Sequence, residues 1–324
     1  MEVIMSLLEK LVNFERKYIR FTPYYPRKVS LNPNEPEIFN DNGERLHVFF
    51  LSDRENAHNP YWSTKPKYIF WDRYNYGLKT HFYTHYEAFN TVGNPERKFA
   101  MLIESRAVSQ KSYRKFIREK SYIENEFEML FTYDAEILDT FSNAKFVPFC
   151  AEYWYGKYDT NITLDSENYL KKSKGVSILA SDKNSCFLHK VRKKIARTCK
   201  RDNLADTFGT FDGGNWVVPE FTLKDYRFSI IVENDQTPYF FTEKITNCFA
   251  SQTIPVYLGA TKIHEFFNPD GIITFNVNDN IVDVLRQCTQ NEYLRRLPAV
   301  IENFNKVRDY DNVMDFMFVN YLAF

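Results

Sequence analysis

Glycine is scarce in this chain, at 10 of 324 residues, and none of it forms a G-x-G-x-x-G or G-x-x-x-x-G-K-[ST] run. Rossmann dinucleotide sites and P-loops approach phosphate through closely spaced glycines, so their absence argues against both. Net charge is missing too. Lys plus Arg and Asp plus Glu stand at 42 each, so no global field draws nucleic acid or an anionic membrane, though a local basic cleft for one nucleotide fits that balance. No apolar run reaches transmembrane length, and no cleavable leader is legible. The five cysteines, Cys150, Cys186, Cys199, Cys248 and Cys288, are odd in number and widely spaced. They read as reduced, partly buried thiols of a cytoplasmic protein, which makes the Asn161-Ile162-Thr163 sequon a chance match.

What is abundant is aromatic: 30 Phe and 22 Tyr, most of them expected in the core. The length suits two domains, each with its own core. Met1 to Phe21 has the spacing of an amphipathic helix, and Thr22 to Asn42 is proline-bearing and extended. Strands are expected at His47–Leu51, Tyr68–Trp71, Phe99–Ile103, Met129–Thr132 and Ala144–Phe149, with helices at Ser112–Lys120 and Ala135–Phe141. That alternation is the sequence form of a doubly wound α/β domain. The polar stretch Asp159 to Lys174 marks a boundary, giving domains 1–165 and 166–324. Gly175–Ala180 then opens a second α/β domain. The final apolar segment, Val313 to Phe324, needs a surface to cover, and the N-terminal domain is one candidate.

The densest pattern is Tyr226 to Gly259, YRFSIIVENDQTPYFFTEKITNCFASQTIPVYLG. Phe228 to Val232 is a short apolar, β-branched run, a buried strand. A polar loop from Glu233 and the trio Tyr239, Phe240 and Phe241 follow. Thr242 is an N-cap residue type, and Glu243 stands in the first turn of a helix with Ile245 and Phe249 on one face. Thr253 to Leu258 is a second strand. This spacing predicts a βαβ unit with parallel strands and a right-handed crossover. Ligands of open α/β sheets sit beyond the carboxyl ends of strands, where helix N-termini favour phosphate. Glu233, Asn234, Thr242, Glu243 and Lys244 occupy that address. Lys244 suits a diphosphate, and Glu243 or Asn234 suits sugar hydroxyls. A satisfied cap on an ordinary α/β domain is the plain alternative.

The run VEN…YFFTEK, then IPVYLGA, then FNPDGIITF, resembles the donor-site signature of the α-1,3/1,4-fucosyltransferase family. Glu233, Asn234, Thr242, Glu243, Lys244, Pro255 and Gly259 keep the pattern. Val232 replaces the usual Phe, and Phe240 stands where Tyr is common, with Tyr239 beside it as another source of a hydroxyl. The resemblance implies a GT-B fold: two Rossmann-like α/β domains facing across a cleft, the C-terminal one for the nucleotide-sugar and the N-terminal one for the acceptor. It implies GDP-fucose as donor, a glycan acceptor, an inverting α-1,3 transfer, and no obligatory metal or other cofactor. It also places the chain with soluble microbial or viral members rather than Golgi-anchored ones, unless the chain is a truncated piece.

Moving a sugar from a nucleotide diphosphate requires neutralising the departing charge and taking a proton from the acceptor hydroxyl. The sole Asp-x-Asp, Asp309-Tyr310-Asp311, follows a charged run and reads as an exposed helix end rather than a metal site. His81 and His85, in HFYTH, lack the glutamate of a zinc-hydrolase helix and read as part of an aromatic-rich surface or core element. Fixed cations are the substitute for a metal. Lys244 is one, and Arg192 is the second by similarity to the family's Ser-Asn…Arg region, with Lys190 as fallback. A solvated basic helix face is the bland reading of the same residues. Glu104, closing FAMLIES, stands where the family has its catalytic base; a helix cap or a salt-bridge partner is the alternative. Three functions stay open: a fucosyltransferase, a GT-B enzyme with another nucleotide-sugar, and a catalytically silent glycan- or nucleotide-binding protein.

Overall fold

The computed structural model describes residues 45–52, 66–72, 76–157, 159 and 161–323. The helix expected over Met1 to Phe21 and the extended segment from Thr22 lie outside them. The chain forms two compact units. Of the described residues, the first comprises those up to 103 with 111–147 and 314–323; the second comprises 104–110 with those from 148 to 313.

The first unit holds a sheet of β1 (Leu46–Leu51), β2 (Ile69–Asp72), β3 (Thr80–Thr84), β4 (Arg97–Leu102), β5 (Met129–Thr132) and β6 (Ala144–Phe146). Its order is β2-β1-β3-β4-β5-β6, and every pairing is parallel. Parallel strands are covered on both faces, which is why they read as unbroken apolar runs such as VFFL and FAML. HFYTH is largely β3, a fully buried strand, and the Nδ1 of His81 lies 2.8 Å from the Tyr83 hydroxyl. Helix α1 (Arg106–Arg118) begins before the expected Ser112 and kinks at Ser109. Helix α2 (Lys120–Glu126) follows, then α3 (Ala135–Thr140), capped by the Asp134 carboxylate on the Ile137 N–H. The C-terminal segment belongs to this unit. Asp315 accepts from the Lys67 N–H at 2.8 Å, Phe318 stacks on Tyr68, and the Tyr321 hydroxyl donates to the Phe146 carbonyl at 2.7 Å.

The second unit runs β7 (Lys174–Leu179), α4 (Phe187–Arg201), β8 (Asp206–Phe208), α5 (Pro219–Leu223), β9 (Tyr226–Val232), α6 (Glu243–Ala250), β10 (Ile254–Leu258), β11 (Ile273–Thr274), α7 (Ile281–Leu285) and α8 (Gln290–Lys306). A short α9 (Val313–Met317) follows, and from Met314 the chain belongs to the first unit. The sheet is parallel in the order β11-β10-β9-β7-β8. Alternation decides its two cores. Phe228, Ile230 and Val232 of β9 and Ile254, Val256 and Leu258 of β10 pack with Leu188, Ile195 and Tyr293. Ile231 and Tyr257 point the other way, to Ile245, Phe249 and Phe267. The units part between Val147 and Pro148, ahead of the polar stretch that marks a boundary in the sequence. Ala151, Tyr153 and Tyr155 are buried with Leu223 and Ile245, and the Trp154 and Tyr155 N–H groups both donate to Asn247 Oδ1.

Lys172, at the entrance to β7, is buried, and its Nζ donates to the Leu223 carbonyl and to Thr253 Oγ1, both at 2.8 Å. A neutral amine has two N–H groups for these two acceptors. Burial lowers its pKa to about 7, against weaker opposite pulls from Cys248 and Asp225. Between pH 7 and the ordinary lysine range the unfolded chain therefore holds a proton that the folded chain lacks. Stability should rise with pH across that window, by on the order of a few kcal/mol, and be lost as pH falls towards 7. Urea midpoints measured against pH should show this slope in the wild type, and a flattened one in Lys172→Met.

Candidate active site

The site grows from the end of β9. Glu233, the next residue, has no solvent exposure, and its N–H continues the ladder to the Leu258 carbonyl at 2.9 Å. Its carboxylate takes three donors from the start of α6: the Thr242 N–H at 2.9 Å, the Thr242 hydroxyl at 2.8 Å and Lys244 Nζ at 3.3 Å. Burial raises its pKa, and these donors oppose that by favouring the ionised form. Thr242 caps α6, accepting from the Lys244 N–H at 3.3 Å. Lys244 Nζ also donates to Thr242 Oγ1 at 2.8 Å and Glu243 Oε1 at 3.2 Å. Burial works against its charge, but Glu243 and Glu233 outweigh burial and hold the ammonium's pKa above the ordinary lysine value.

Helix α4 supplies the opposite wall. Arg192 is 6 % exposed. Its Nη1 donates to the Val232 carbonyl at 2.9 Å, while its buried Nε has no acceptor among the described residues. One turn earlier, His189 Nε2 lies 3.0 Å from Asn234 Oδ1, and its Nδ1 lies 3.1 Å from the Ser185 hydroxyl. Burial, then Arg192, lowers the His189 pKa, so the ring is neutral at pH 7. With Oδ1 facing the ring, His189 donates from Nε2 and Asn234 keeps its Nδ2 hydrogens for a ligand. The Cys186 thiol donates to the Asn234 carbonyl.

Glu104 begins the segment that joins this unit from β4, and its Oε1 accepts from the Ser105 N–H at 2.7 Å. Asp235 ties that segment to the β9–α6 loop by accepting from the Ala107 N–H at 2.8 Å. Cys150 confirms the neighbourhood electrostatically. Crowding by protein atoms, then Glu104 and Glu243, push its thiol well above the usual range, although solvent reaches the residue.

Glu104, Arg192, Glu233, Asn234, Thr242, Glu243 and Lys244 thus share one region of the second unit. Of the three other expected contacts, Lys190 is the one turned to solvent. Lys190 is exposed on the outer face of α4, because two helical steps turn it away from Arg192. Phe240 is 2 % exposed, a core residue. Tyr239 is half-buried, with its hydroxyl 3.2 Å from Lys262 Nζ. Asp309 is exposed at the end of the α8 region, while Tyr310 packs on Phe241 and Phe267. Among the described residues no group of three His, Cys, Asp or Glu is placed to hold a metal. Ser185, His189 and Asp235 were not singled out from sequence; the four-residue step from Ser185 to His189, on the face of Arg192, was the available signal.

Residues 169–317 match the C-terminal domain of glycosyltransferase family 10, the fucosyltransferases. The chain resembles that family. Within the matched residues lie all the site residues named above except Glu104. The α-(1,3)-fucosyltransferase FucT of Helicobacter pylori is 32% identical over 80 residues, 23% of this chain and 17% of that protein's length. In fold, a crystal structure of an α1,3-fucosyltransferase matches with a TM-score of 0.51 at 18% identity, over 80% of this chain and 82% of the other. HepE of Anabaena, in complex with UDP, matches with a TM-score of 0.51 at 9% identity, over 86% of this chain and 100% of the other. The fold class is GT-B, with two Rossmann-like α/β units. No described helix is long and apolar enough to cross a membrane.

Gly259 ends β10 against Glu233. A Cβ there would lie 2.3 Å from Tyr257 Oη and 2.6 Å from Glu233 Cγ. Gly259→Ala should cost about 1–3 kcal/mol in chemical denaturation. A wild-type midpoint would show that the Glu233 brace yields freely.

Proposed function

We propose that this protein is an inverting fucosyltransferase that moves L-fucose from GDP-fucose to a glycan hydroxyl in an α-1,3 linkage. The observation that carries the reading is the convergence, within a family 10 domain, of Arg192, Lys244 and Asn234 on the carboxyl end of β9 and the N-terminus of α6. Arg192 keeps an unpaired donor for a diphosphate oxygen. Lys244 and the first N–H groups of α6 add positive potential where charge develops on the leaving GDP. Glu243, which shares the Lys244 ammonium and is partly exposed, accepts from a hydroxyl of the ribose or the fucose. Asn234, oriented by His189, donates to a second oxygen.

Glu104 acts as general base. The acceptor oxygen attacks the anomeric carbon, the bond to the diphosphate breaks with its electron pair leaving on GDP, and the hydroxyl proton passes to the Glu104 carboxylate. One displacement inverts the anomeric centre. Charge neutralisation by Arg192 and Lys244 asks for no metal. A GT-B enzyme for another nucleotide-sugar is the second reading, favoured by the equal fold match to a UDP-bound protein.

Calorimetric titration with GDP-fucose, GDP-mannose and UDP-galactose, with and without EDTA, tests the donor. Selective, EDTA-insensitive binding of GDP-fucose is expected; preference for a UDP-sugar moves the protein to the second reading. Lys244→Ala should weaken GDP binding about tenfold or more, and equal affinity would remove Lys244 from the diphosphate site. Glu104→Gln should leave GDP affinity intact and lower turnover about 100- to 10,000-fold. Normal turnover in that variant excludes Glu104 as base.

A further inference from the structure

The outer face of α4 has a role that the donor site does not absorb. Phe187, Lys190, Lys194, Arg197 and Arg201 follow one another at steps of three and four residues, and all are exposed. They form one stripe about 21 Å long. A groove of about 490 Å³ runs along it, lined by Lys190, Lys193, Lys194, Arg197 and Arg201 with Asn184 and Thr198. No acidic residue occurs between Phe187 and Arg201. Lys193 donates to the Asp182 carbonyl, and Arg201 pairs with Asp202. Lys190, Lys194 and Arg197 form no ion pair among the described residues.

Like charges four residues apart, as in Lys190–Lys194, Lys193–Arg197 and Arg197–Arg201, repel one another on a helix. The chain as a whole is neutral, so this concentration is local and complements an anion of extended shape. Its lining narrows the class. An interfacial membrane helix buries an apolar face, but the apolar face of α4 (Leu188, Ile195, Ala196 and Cys199) is already in the core. A single-strand nucleic-acid groove interleaves cations with several stacking rings, and no aromatic residue lines this one. One ring, Phe187, 65% exposed, heads the stripe. It stands at the end of α4 whose inner face carries His189 and Arg192 to the donor site.

We infer that this groove binds an anionic sugar chain, bearing phosphate, sulfate or carboxylate groups, with Phe187 stacking on a ring at the end nearer the donor site. The inference rests on the glycan-modifying reading and assigns the acceptor's chemical class. The test is calorimetric titration of the full chain with a heparin-derived octasaccharide and a neutral dextran fragment at about 0.1 M salt, for wild type and the Lys194→Glu/Arg197→Glu variant. The wild type should bind the octasaccharide and not dextran. The variant should lose about tenfold or more of that affinity, with a shallower salt dependence, and keep its GDP affinity. Absence of octasaccharide binding, equal binding by the variant, or tighter binding to phosphatidylglycerol vesicles or oligo-dT overturns the inference. GDP titration of the same wild-type sample reports on the donor site alone, so loss of that reading registers separately from loss of this one.

Discussion

A carboxylate without solvent exposure has to be answered by donors, and the donors that answer Glu233 are the first residues of α6. Desolvating this charge is costly, and the recompense exists in one arrangement only. β9 must therefore end where it does, α6 must be capped at Thr242, and the Lys244 ammonium must lie between two carboxylates. Gly259 leaves the space and Tyr257 closes it. Arg192 completes the corner by occupying the last carbonyl of β9. The diphosphate position proposed for this corner would thereby be fixed before any ligand arrives, which is the preorganisation that electrostatic catalysis needs.

The parts of this fold that were legible in the sequence are those whose signal is local. β9, α6 and β10 announce themselves through apolar runs, a capping threonine and a closing glycine. The parallel sheets follow from runs such as VFFL and FAML, which no one-sided strand would carry. β8 was hidden because three residues, Asp206 to Phe208, hold their place through pairing with β7 rather than through composition. β3 was hidden because its histidine and two threonines are buried by neighbouring strands. The division at Val147 was hidden because Tyr153 and Tyr155 sit in a polar, loop-like stretch and are recruited to the second core by contacts distant in sequence.

The site shows the same split. Thr242, Glu243 and Lys244 are consecutive, so spacing alone puts them at a helix start. His189 and Asp235 act through partners 45 and 128 residues away, and only the folded chain reveals them. Phe240 shows the opposite case. An aromatic residue in a ligand-side loop looks like a sugar contact, and in the folded chain it is 2 % exposed. Helix α4 likewise carries two sets of cations: Arg192 on the side that packs on the sheet, and a stripe turned to solvent. In a chain whose total charge is nil, position on a helix rather than number gives each cation its chemistry.

The short piece from Glu104 to Gln110 belongs to the second unit although its sequence lies within the first, held there in part by Asp235. Modularity is the consequence. A fragment cut at Val147 would keep the sheet, the helices and every residue of the nucleotide corner, and leave behind the one carboxylate assigned to the proton. Anyone recombining such domains between relatives would exchange the proposed donor corner with the large piece and the proposed base with the small one, so the natural unit of exchange is discontinuous in sequence.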